Sequence, residues 1–317
     1  MSKFEPYQPI KELITNDYIL LDLPYHINTG DLLIWEGELT FLKHEVNHRM
    51  LGYYNMSTFG FSTLNEDTII LLHGGGNFGD VWRHSQEFRL KVLKRYPENR
   101  IVIFPQSVYY SKDELAIADA KQFAKHKDLT ICARDKVSYE YLTRYFKNTL
   151  LCIPDMAFCI DSKTFAKNIL KPTKENLYFK RSDHEGRDLK VDFIEGEYAT
   201  HDWPNSENLP RYMKSLYLSM VVLDKLHRNN ILCQFCAKPL AYAINLIFMH
   251  IIRPLYIGKG VRFISSYKNI YTTRLHGLIL SYLLGKDIYI VPNNNGKLEN
   301  YYNSWLTDSK NIRIVNC

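Results

Sequence analysis

The 317-residue sequence lacks the features that would place it in a secretory pathway or on nucleic acid. Its first residues, MSKFEPYQPIKEL, contain no apolar segment of signal-peptide length. Its six cysteines, at positions 132, 152, 159, 233, 236 and 317, follow no disulfide framework. The formal net charge is +6, but lysine and arginine are scattered and form no long basic run. We therefore expect a protein of a reducing, cytoplasmic compartment that binds acidic small molecules and no nucleic acid.

Motifs for a metal site and for a hydrolase are also incomplete. Cys233 and Cys236 form a single C-x-x-C, yet no second pair and no neighbouring H-x-x-x-H completes a zinc site. The sequence has no D-x-D and no histidine–carboxylate cluster, so we predict no metal ion and no cofactor. Residues 73–76 spell the HGGG of esterase oxyanion loops, but the chain has no G-x-S-x-G nucleophile elbow. The esterase interpretation therefore fails.

The glycine-rich stretch LLHGGGNFGD, residues 71–80, also matches the G-x-G-x-x-G fingerprint of a dinucleotide site. That interpretation fails because the next predicted strand, residues 101–104, is followed by no carboxylate that could bind a ribose. Glycines still let backbone amides approach a ligand closely, and a helix beginning near Asn77 would add its positive end. We expect this stretch to bind an anion or a polar sugar, with a tight strand-to-helix turn as the alternative.

Apolar runs alternate with segments of helical periodicity in the first half of the chain. Strands are predicted at 17–23, 50–54, 68–72, 101–104, 129–133 and 150–153. Helices are predicted at 29–45, 80–95, 113–126 and 137–146. Strands separated by helices of this length imply right-handed crossovers and a parallel sheet. Residues 1–165 are therefore predicted to form a Rossmann-like domain.

The second half repeats this alternation after a lysine-rich stretch at 161–176 that is typical of a linker. Strands are predicted at 177–180, 269–272, 288–291 and 312–315, and helices at 211–227, 239–252, 275–284 and 297–306, with an irregular stretch between 185 and 210. A chain of this length exceeds the usual size of one hydrophobic core. The predicted fold class is α/β, with a second Rossmann-like domain at residues 166–317 facing the first across a cleft.

Residues 231–252 form the most hydrophobic segment and are almost long enough to span a bilayer. Lys238 and Pro239 interrupt the segment, which favours a buried helix pair over a transmembrane helix. An interfacial role with lipid-linked substrates stays open, since Phe248, Arg253 and Tyr256 suit a membrane surface.

Ligands of open parallel sheets bind beyond the carboxyl ends of the strands. Nearly every predicted loop at those ends carries a charged or amide group. The loops are 26–31, 73–80, 105–107, 133–135, 154–155, 180–185, 273–277 and 292–297. A helix cap or a local ion pair would explain any one of them, as for Asp31 or for Arg134 with Asp135. Their common edge favours a catalytic cleft.

Taken together, the sequence blocks in these loops resemble those of the polysaccharide pyruvyl transferases. The blocks are GDLLIWEG (30–37), HGGGNFGDVW (73–82), FPQS (104–107), ARDKVS (133–138), PDMAF (154–158), RSDHE (181–185), DWP (202–204), TRLHG (273–277) and NGK (295–297). The resemblance extends over almost the full chain and implies a fold similar to that of GT-B glycosyltransferases. It also implies transfer of pyruvate from phosphoenolpyruvate to a sugar of a glycan, forming a pyruvate ketal.

The resemblance places the donor in the second domain. The family associates its R-L-H motif and the arginine of its R-x-D-x-E block with the donor, and the matching residues here are Arg274, His276 and Arg181. Planar guanidinium groups suit the phosphate and the carboxylate of phosphoenolpyruvate. We add to this predicted donor site Leu275, Asn295 and Lys297. The family often has Asp before R-L-H, whereas this chain has Thr273, so the role of that position is open.

Ketal formation needs a general base and a general acid, because a hydroxyl attacks C2 of the donor while the methylene carbon gains a proton. We predict His276 as the acid. The candidates for the base are Asp31, Asp183 and Glu185. The predicted acceptor site consists mainly of residues of the first domain, together with one tryptophan of the second domain. These residues are His73, Gly75, Gly76, Asn77, His84 and Trp203. The alternatives are that His84 only faces solvent and that Trp203 belongs to the core.

The expected acceptor is a glycan or an undecaprenyl-type lipid-linked oligosaccharide of capsular or exopolysaccharide biosynthesis. Such an acceptor would bring a cytoplasmic enzyme to the inner face of the cytoplasmic membrane as a peripheral protein. Two other functions stay open at this point. One is a GT-B-type glycosyltransferase that uses a nucleotide sugar, and the other is a non-catalytic carbohydrate-binding relative.

Overall fold

The computed structural model describes residues 3–181, 191–204, 215, 218–219, 221–222, 234–292 and 296–315. In these residues the chain forms two parallel β-sheets, with helices between many successive strands. The predicted α/β class with parallel sheets is confirmed. The domain boundary between residues 165 and 166 and the similarity to GT-B enzymes stay predictions.

The first sheet is 7-stranded. Its strands are β1 (Tyr18–Leu21), β2 (Met50–Tyr54), β3 (Ile69–Leu72), β4 (Gly75–Gly79), β5 (Ile101–Tyr109), β6 (Leu129–Ala133) and β7 (Thr149–Cys152). They are ordered β2-β1-β3-β5-β6-β7, and β4 pairs with β5 outside this path. All pairs are parallel.

The second sheet is 5-stranded and has the order β12-β11-β10-β8-β9. Its strands are β8 (Lys174–Phe179), β9 (Tyr198–His201), β10 (Tyr267–Thr272), β11 (Asp287–Ile290) and β12 (Ile312–Ile314). These pairs are parallel as well.

Both sheets wind in two directions from their first strand. β1 lies between β2 and β3, and β8 lies between β9 and β10. In doubly wound sheets, ligands bind at the carboxyl ends of the two strands where the winding reverses. We call these places the first switch point, beyond β1 and β3, and the second switch point, beyond β8 and β10.

Helices connect these strands and cover the sheets. The α-helices are α1 (Gln8–Leu13), α2 (Thr29–Glu45), α3 (Arg83–Arg95), α4 (Asp113–Phe123), α5 (Lys136–Tyr145), α6 (Gln234–Ile247), α7 (Arg253–Ser265), α8 (Leu275–Leu283) and α9 (Lys297–Trp305). A π-helical turn at Phe248–Ile252 joins α6 to α7. Three 3₁₀ helices lie at Glu5–Tyr7, Met156–Cys159 and Ser162–Asn168.

Helix α2 lies at the centre of the molecule. It begins at Thr29 because the side chain of Asn28 accepts a hydrogen bond from the backbone N of Gly30 at 2.9 Å. It contacts both α7 and α8 from the second half. Its fully buried Trp35 donates from Nε1 to Sδ of Met249, at 3.2 Å. One hydrophobic cluster therefore includes residues of α2 and of both sheets.

The other face of the first sheet has a cluster of its own. Along β1, Leu20 belongs to the α2 cluster, whereas Ile19 and Leu21 belong to the second cluster, with residues of α3, α4 and α5. Successive side chains of a strand point to opposite faces. A strand that is apolar on both faces is thus typical of a parallel sheet covered on both sides.

The prediction that a helix begins near Asn77 is wrong. Gly75–Gly79 forms strand β4, and α3 begins at Arg83. Gly75 and Gly79 have φ values of 134° and 126°, which favour glycine. A Cβ at Gly79 would lie 1.7 Å from the carbonyl O of Tyr109 on β5. The glycines thus allow an extended strand to pair closely with β5, and neither a turn nor a helix forms there.

The prediction that Lys238 and Pro239 separate two buried helices is also wrong, because Pro239 lies inside α6. The continuous helical segment Pro239–Ser265 is long and apolar enough to cross a membrane, judged by length and composition alone. Several of its side chains nevertheless belong to the buried α2 cluster, among them Phe248 and Val261. A helix of a protein core has these same properties.

Two other stretches differ from their predicted form. The linker predicted at 161–176 contains the 3₁₀ helix at Ser162–Asn168 and the start of β8, and the irregular stretch predicted at 185–210 contains β9. Most of the helix predicted at 211–227 lies outside the described residues.

Candidate active site

A cavity of about 500 Å³ lies where the two switch points face each other. Asp22 and His73 line it from beyond β1 and β3, and Arg181 and Arg274 line it from beyond β8 and β10. The two sheets therefore bring together acidic, imidazole and guanidinium groups that are far apart in the sequence. A cavity of this volume can hold one small ligand together with part of a second ligand.

His73 is held at the first switch point by its backbone and by its ring. Its backbone N donates to the carbonyl O of Leu21 at 3.1 Å, which extends the pairing of β1 with β3. Its Nδ1 lies 2.9 Å from both carboxylate oxygens of Glu38 on α2. The backbone N of Gly74 donates to the same carboxylate at 2.8 Å. Both side chains of the pair are buried.

The Glu38–His73 pair is suited to hold a proton on the imidazole. Burial lowers the pKa of His73, but the neighbouring Glu38 carboxylate raises this pKa above its ordinary value. Burial raises the pKa of Glu38. The second ring nitrogen of His73, Nε2, is buried and has no hydrogen-bond partner among the described residues. Nε2 is therefore available to a polar group in the cavity.

Asp155 is fully buried behind the cavity and contacts two side chains that line it, Arg134 and His276. Its Oδ2 lies 2.9 Å from Nη1 of Arg134 and 3.3 Å from Nε2 of His276, and its Oδ1 accepts from the backbone N of Ala157 at 2.9 Å. Burial opposes the charge, yet His276 and Arg134 hold the pKa of Asp155 well below its usual range. The carboxylate is thus ionised and orients the Arg134 guanidinium and the His276 imidazole.

Two tyrosines fix the backbone of Asp155. The hydroxyl of Tyr7 donates to its carbonyl O, and the backbone N of Asp155 donates to the hydroxyl of Tyr301, each at 2.9 Å. Tyr301 belongs to α9 of the second half. The carboxylate is therefore positioned by residues from both ends of the chain.

His276 approaches the start of α2 very closely. It lies in the first turn of α8, and a Cβ placed on Gly30 would lie 2.5 Å from its Nδ1. Only glycine leaves room for this imidazole. Gly30 thus allows the ring to lie between α2 and Asp155.

The second switch point positions the two arginines through Thr273. The backbone N of Thr273 donates to the carbonyl O of Phe179 at 3.1 Å, and its Oγ1 accepts from the backbone N of Arg181 at 3.0 Å. Thr273, whose position is often Asp in the family, here connects the ends of β8 and β10.

Arg274 forms an ion pair with Asp202, in which Nε and Nη2 contact the two carboxylate oxygens. Both side chains are largely buried. The neighbouring Trp203 lines the cavity and packs edge-on against Phe179, with ring centroids 4.6 Å apart. The D-W-P block therefore orients Arg274 and supplies an aromatic wall.

Most of the predicted site residues line this one cavity. Those that do are Asp31, His73, Gly76, Asn77, His84, Arg181, Trp203, Arg274, Leu275, His276 and Lys297. Gly75 lies in β4 beside the cavity without lining it. Asp183, Glu185 and Asn295 lie outside the described residues. Asp31, a predicted base, is partly exposed and lies 3.5 Å from Nδ1 of His26.

Sequence reasoning assigned no role to Asp22, Glu38, Asp155 or Asp202. Glu38 lies two turns after Asp31 on α2, and this spacing places both on one helix face. Asp155 and Asp202 lie in sequence blocks that were noted without a role. Asp22 directly follows β1 and has a positive φ of 72°, which no sequence pattern indicates.

Comparison with known proteins identifies the family. The family model for polysaccharide pyruvyl transferases matches residues 28–295. EpsO of Bacillus subtilis (strain 168), whose name assigns it to the pyruvyl transferases, is 32% identical over 95% of this chain and 88% of its own length. Pyruvyl transferase 1 of Schizosaccharomyces pombe is 28% identical over 90% of this chain and 69% of its own length.

A solved structure is similar in fold. The crystal structure of the uncharacterised protein KP1_0663 from Klebsiella pneumoniae matches all of this chain and all of its own with a TM-score of 0.63, at 19% identity. This likeness concerns the fold alone, whereas the match to the family model covers most of the sequence. The chain belongs to the polysaccharide pyruvyl transferase family.

Proposed function

We propose that the protein transfers pyruvate from phosphoenolpyruvate to two hydroxyls of one sugar in a glycan, forming a pyruvate ketal and releasing phosphate. The single observation that carries this proposal is the convergence of Arg181, Arg274 and His276 on one cavity from the loops beyond β8 and β10. The donor has two anionic groups a short distance apart, and two guanidinium groups at one switch point match this pattern.

The donor is proposed to bind at the second switch point. Arg274 precedes α8, whose first backbone N–H groups add a partial positive charge. A charge-assisted hydrogen bond contributes about 1.5–3 kcal/mol, whereas a helix dipole contributes about 0.3–1 kcal/mol. The arginines therefore dominate donor binding, and Lys297 at the start of α9 adds a further cation. No metal ion and no cofactor is part of this proposal.

The proposed reaction has two steps. In the first, a sugar hydroxyl loses its proton and attacks C2 of the donor, while the electron pair of the C2=C3 bond takes a proton at C3. In the second, the bond from C2 to the phosphate oxygen breaks and the other hydroxyl attacks C2. The proton of this second hydroxyl leaves with the phosphate. His276, held by Asp155, is the proposed donor of the proton at C3.

The acceptor is proposed to lie at the first switch point. His73, Asn77 and His84 offer hydrogen-bonding groups there, and Trp203 offers an aromatic face to a sugar ring. The expected acceptor is a glycan or an undecaprenyl-type lipid-linked precursor of capsular or exopolysaccharide biosynthesis. Peripheral association with the inner membrane surface is part of the proposal, and the side chains that could serve it are the exposed Tyr242 and Ile251 of the partly core-packed segment Pro239–Ser265.

The function is tested by incubating the purified protein with phosphoenolpyruvate and a panel of glycans and lipid-linked oligosaccharides. We expect phosphate release that depends on the acceptor, together with a product whose mass has increased by one pyruvate ketal. Release of a nucleotide from a sugar nucleotide, without use of phosphoenolpyruvate, would instead identify a glycosyltransferase. Glycan binding without any product would identify a carbohydrate-binding relative.

A further inference from the structure

Asp22 occupies a position that is unfavourable for a carboxylate. It follows β1 directly at the first switch point, lines the cavity and is only 5% exposed. Its φ of 72° lies in the left-handed region, which glycine adopts freely and other residues adopt at a steric cost. Burial of a charged group carries a second cost. Asp22 thus carries a steric cost and a burial cost at the sheet edge where ligands bind. Such a combination indicates that the residue is kept for a function at this edge.

A comparison with Asp119 separates Asp22 from an ordinary buried aspartate. The Asp119 carboxylate accepts hydrogen bonds from Nη1 and Nη2 of Arg83 at 2.6 Å and 2.8 Å, and from the Tyr110 hydroxyl at 2.9 Å. Among the residues that the structure describes, no side chain or backbone group donates a hydrogen bond to the Asp22 carboxylate. Asp119 is therefore held by direct hydrogen bonds, whereas among the described residues Asp22 is stabilised only by nearby charges, chiefly Arg89.

The charged and titratable groups that face Asp22 are Arg89, His73, His26 and His84. Arg89 donates elsewhere, to the carbonyl O of Asn77 at 3.1 Å and to Oε1 of Gln86 at 3.2 Å. Burial raises the pKa of Asp22, and the neighbouring charges, chiefly that of Arg89, lower it only in part. A carboxylate with a raised pKa is a stronger base than an exposed one.

We infer that Asp22 is the catalytic base that accepts the proton of the attacking acceptor hydroxyl. This inference rests on the proposed pyruvyl transfer. In the first step, the O–H bond of the sugar breaks and its proton passes to the Asp22 carboxylate. The oxygen bonds to C2 of the donor, and the C2=C3 electron pair takes a proton at C3 from His276. Asp22 lies on the first switch point, where the acceptor is proposed to bind.

Asp31 is less suited to this role. It lies in the first turn of α2, a common position for a carboxylate that stabilises the start of a helix. It is partly exposed, and its Oδ2 lies 3.5 Å from the His26 ring. Asp22, in contrast, is buried and lines the cavity without such a contact.

The test compares Asp22→Asn with Asp119→Asn as a matched control. Asparagine has the size of aspartate and tolerates a left-handed conformation. We expect Asp22→Asn to lower kcat by about 10²- to 10⁴-fold, to change the Kd for phosphoenolpyruvate by less than about twofold, and to leave the Tm unchanged or raised. It should also remove the acidic limb of the kcat pH profile. Asp119→Asn should lower the Tm and leave kcat within a few-fold of wild type.

A second variant, Asp22→Gly, removes the backbone strain together with the carboxylate. We expect it to raise the Tm and to be as inactive as Asp22→Asn. If the kcat of Asp22→Asn stayed within about tenfold of wild type, Asp22 would not be the base, but the proposed pyruvyl transfer would be unaffected. A Tm lowered as in Asp119→Asn would also overturn the assignment of Asp22, because Asp22 would then be a structural counter-ion. A wild-type protein that neither binds phosphoenolpyruvate nor releases phosphate from it would overturn the proposed function itself.

Discussion

Gly30 leaves room for the His276 imidazole from the second half, and substitution of this glycine gives a sharp prediction. The side chain of Gly30→Ala would place a methyl group 2.5 Å from Nδ1 and 2.9 Å from Cγ of His276. Ordinary contacts of this kind begin at 3.4 Å. The imidazole must therefore move by roughly 1 Å, since α2 is fixed in the core.

The expected loss of activity follows from that displacement. Nε2 of His276 lies 3.3 Å from Asp155, so a movement of about 1 Å either breaks this contact or forces the two atoms below hydrogen-bonding distance, and in both cases the imidazole leaves its position in the site. A displacement of about 1 Å in a catalytic group costs about 10²-fold in rate. We therefore expect kcat to fall about 100-fold. Stability should change little, because alanine is favoured over glycine in helices by up to about 1 kcal/mol.

The assay is acceptor-dependent phosphate release from phosphoenolpyruvate, combined with a thermal melt of each variant. Gly60→Ala is the matched control, because a Cβ at Gly60 would contact no atom within 4 Å. The control should retain the wild-type kcat and Tm. If Gly30→Ala kept the wild-type kcat with an unchanged fold, the placement of His276 against α2 would have no catalytic importance, and the reasoning would be wrong.

Three further substitutions test other parts of the site. Arg274→Lys keeps the charge but loses the planar fork, so the donor KM should rise about tenfold or more; a saturation curve equal to that of wild type would remove Arg274 from the donor site. Asp155→Asn should lower the free energy of unfolding at pH 7 by about 3–5 kcal/mol, because the buried Arg134 keeps its charge. The folded-state pKa of Asp155 is lowered, so its stabilisation is present above the unfolded pKa of about 3.9 and is lost as the pH falls below it. Urea unfolding should therefore show a smaller difference from wild type at pH 3 than at pH 7, and equal differences would contradict this. Glu38→Gln removes the carboxylate that contributes most to raising the pKa of His73, so burial, which lowers this pKa, is opposed only by the more weakly acting Asp22 and Asp31. NMR titration of the His73 imidazole should show a lower pKa in Glu38→Gln than in wild type. An unchanged pKa would show that Glu38 does not set the charge of His73.

The position of the residues at the second switch point could be predicted from one rule, and their role as donor ligands from the family resemblance. Arg181 and Arg274 follow predicted strands within one or two residues, and parallel strands bring their carboxyl ends to one edge. Sequence spacing cannot tell which loops lie next to each other, because strand order is a property of the whole sheet. The pairing of β10 with β8, which places Thr273 beside Arg181, therefore appears only in the structure.

Other features depend on packing that sequence patterns do not encode. Asp22 lay at the end of a predicted strand, where nothing in the sequence signals the positive φ that turns the chain. Glu38 has the charge expected of an exposed helix position, yet it is buried against His73. Three consecutive glycines are typical of a turn, but here close pairing with β5 produces strand β4.

The central position of α2 has a consequence for how a polymer enters the enzyme. Pulling the two halves apart would expose Trp35 to water and separate it from Met249, so a wide hinge-like opening would be costly. The glycan of the proposed reaction would then reach the cavity end-on or from the side, through the rim of an already assembled chamber. We therefore expect the proposed reaction to occur at chain termini or short repeating units and not in the interior of a folded polysaccharide.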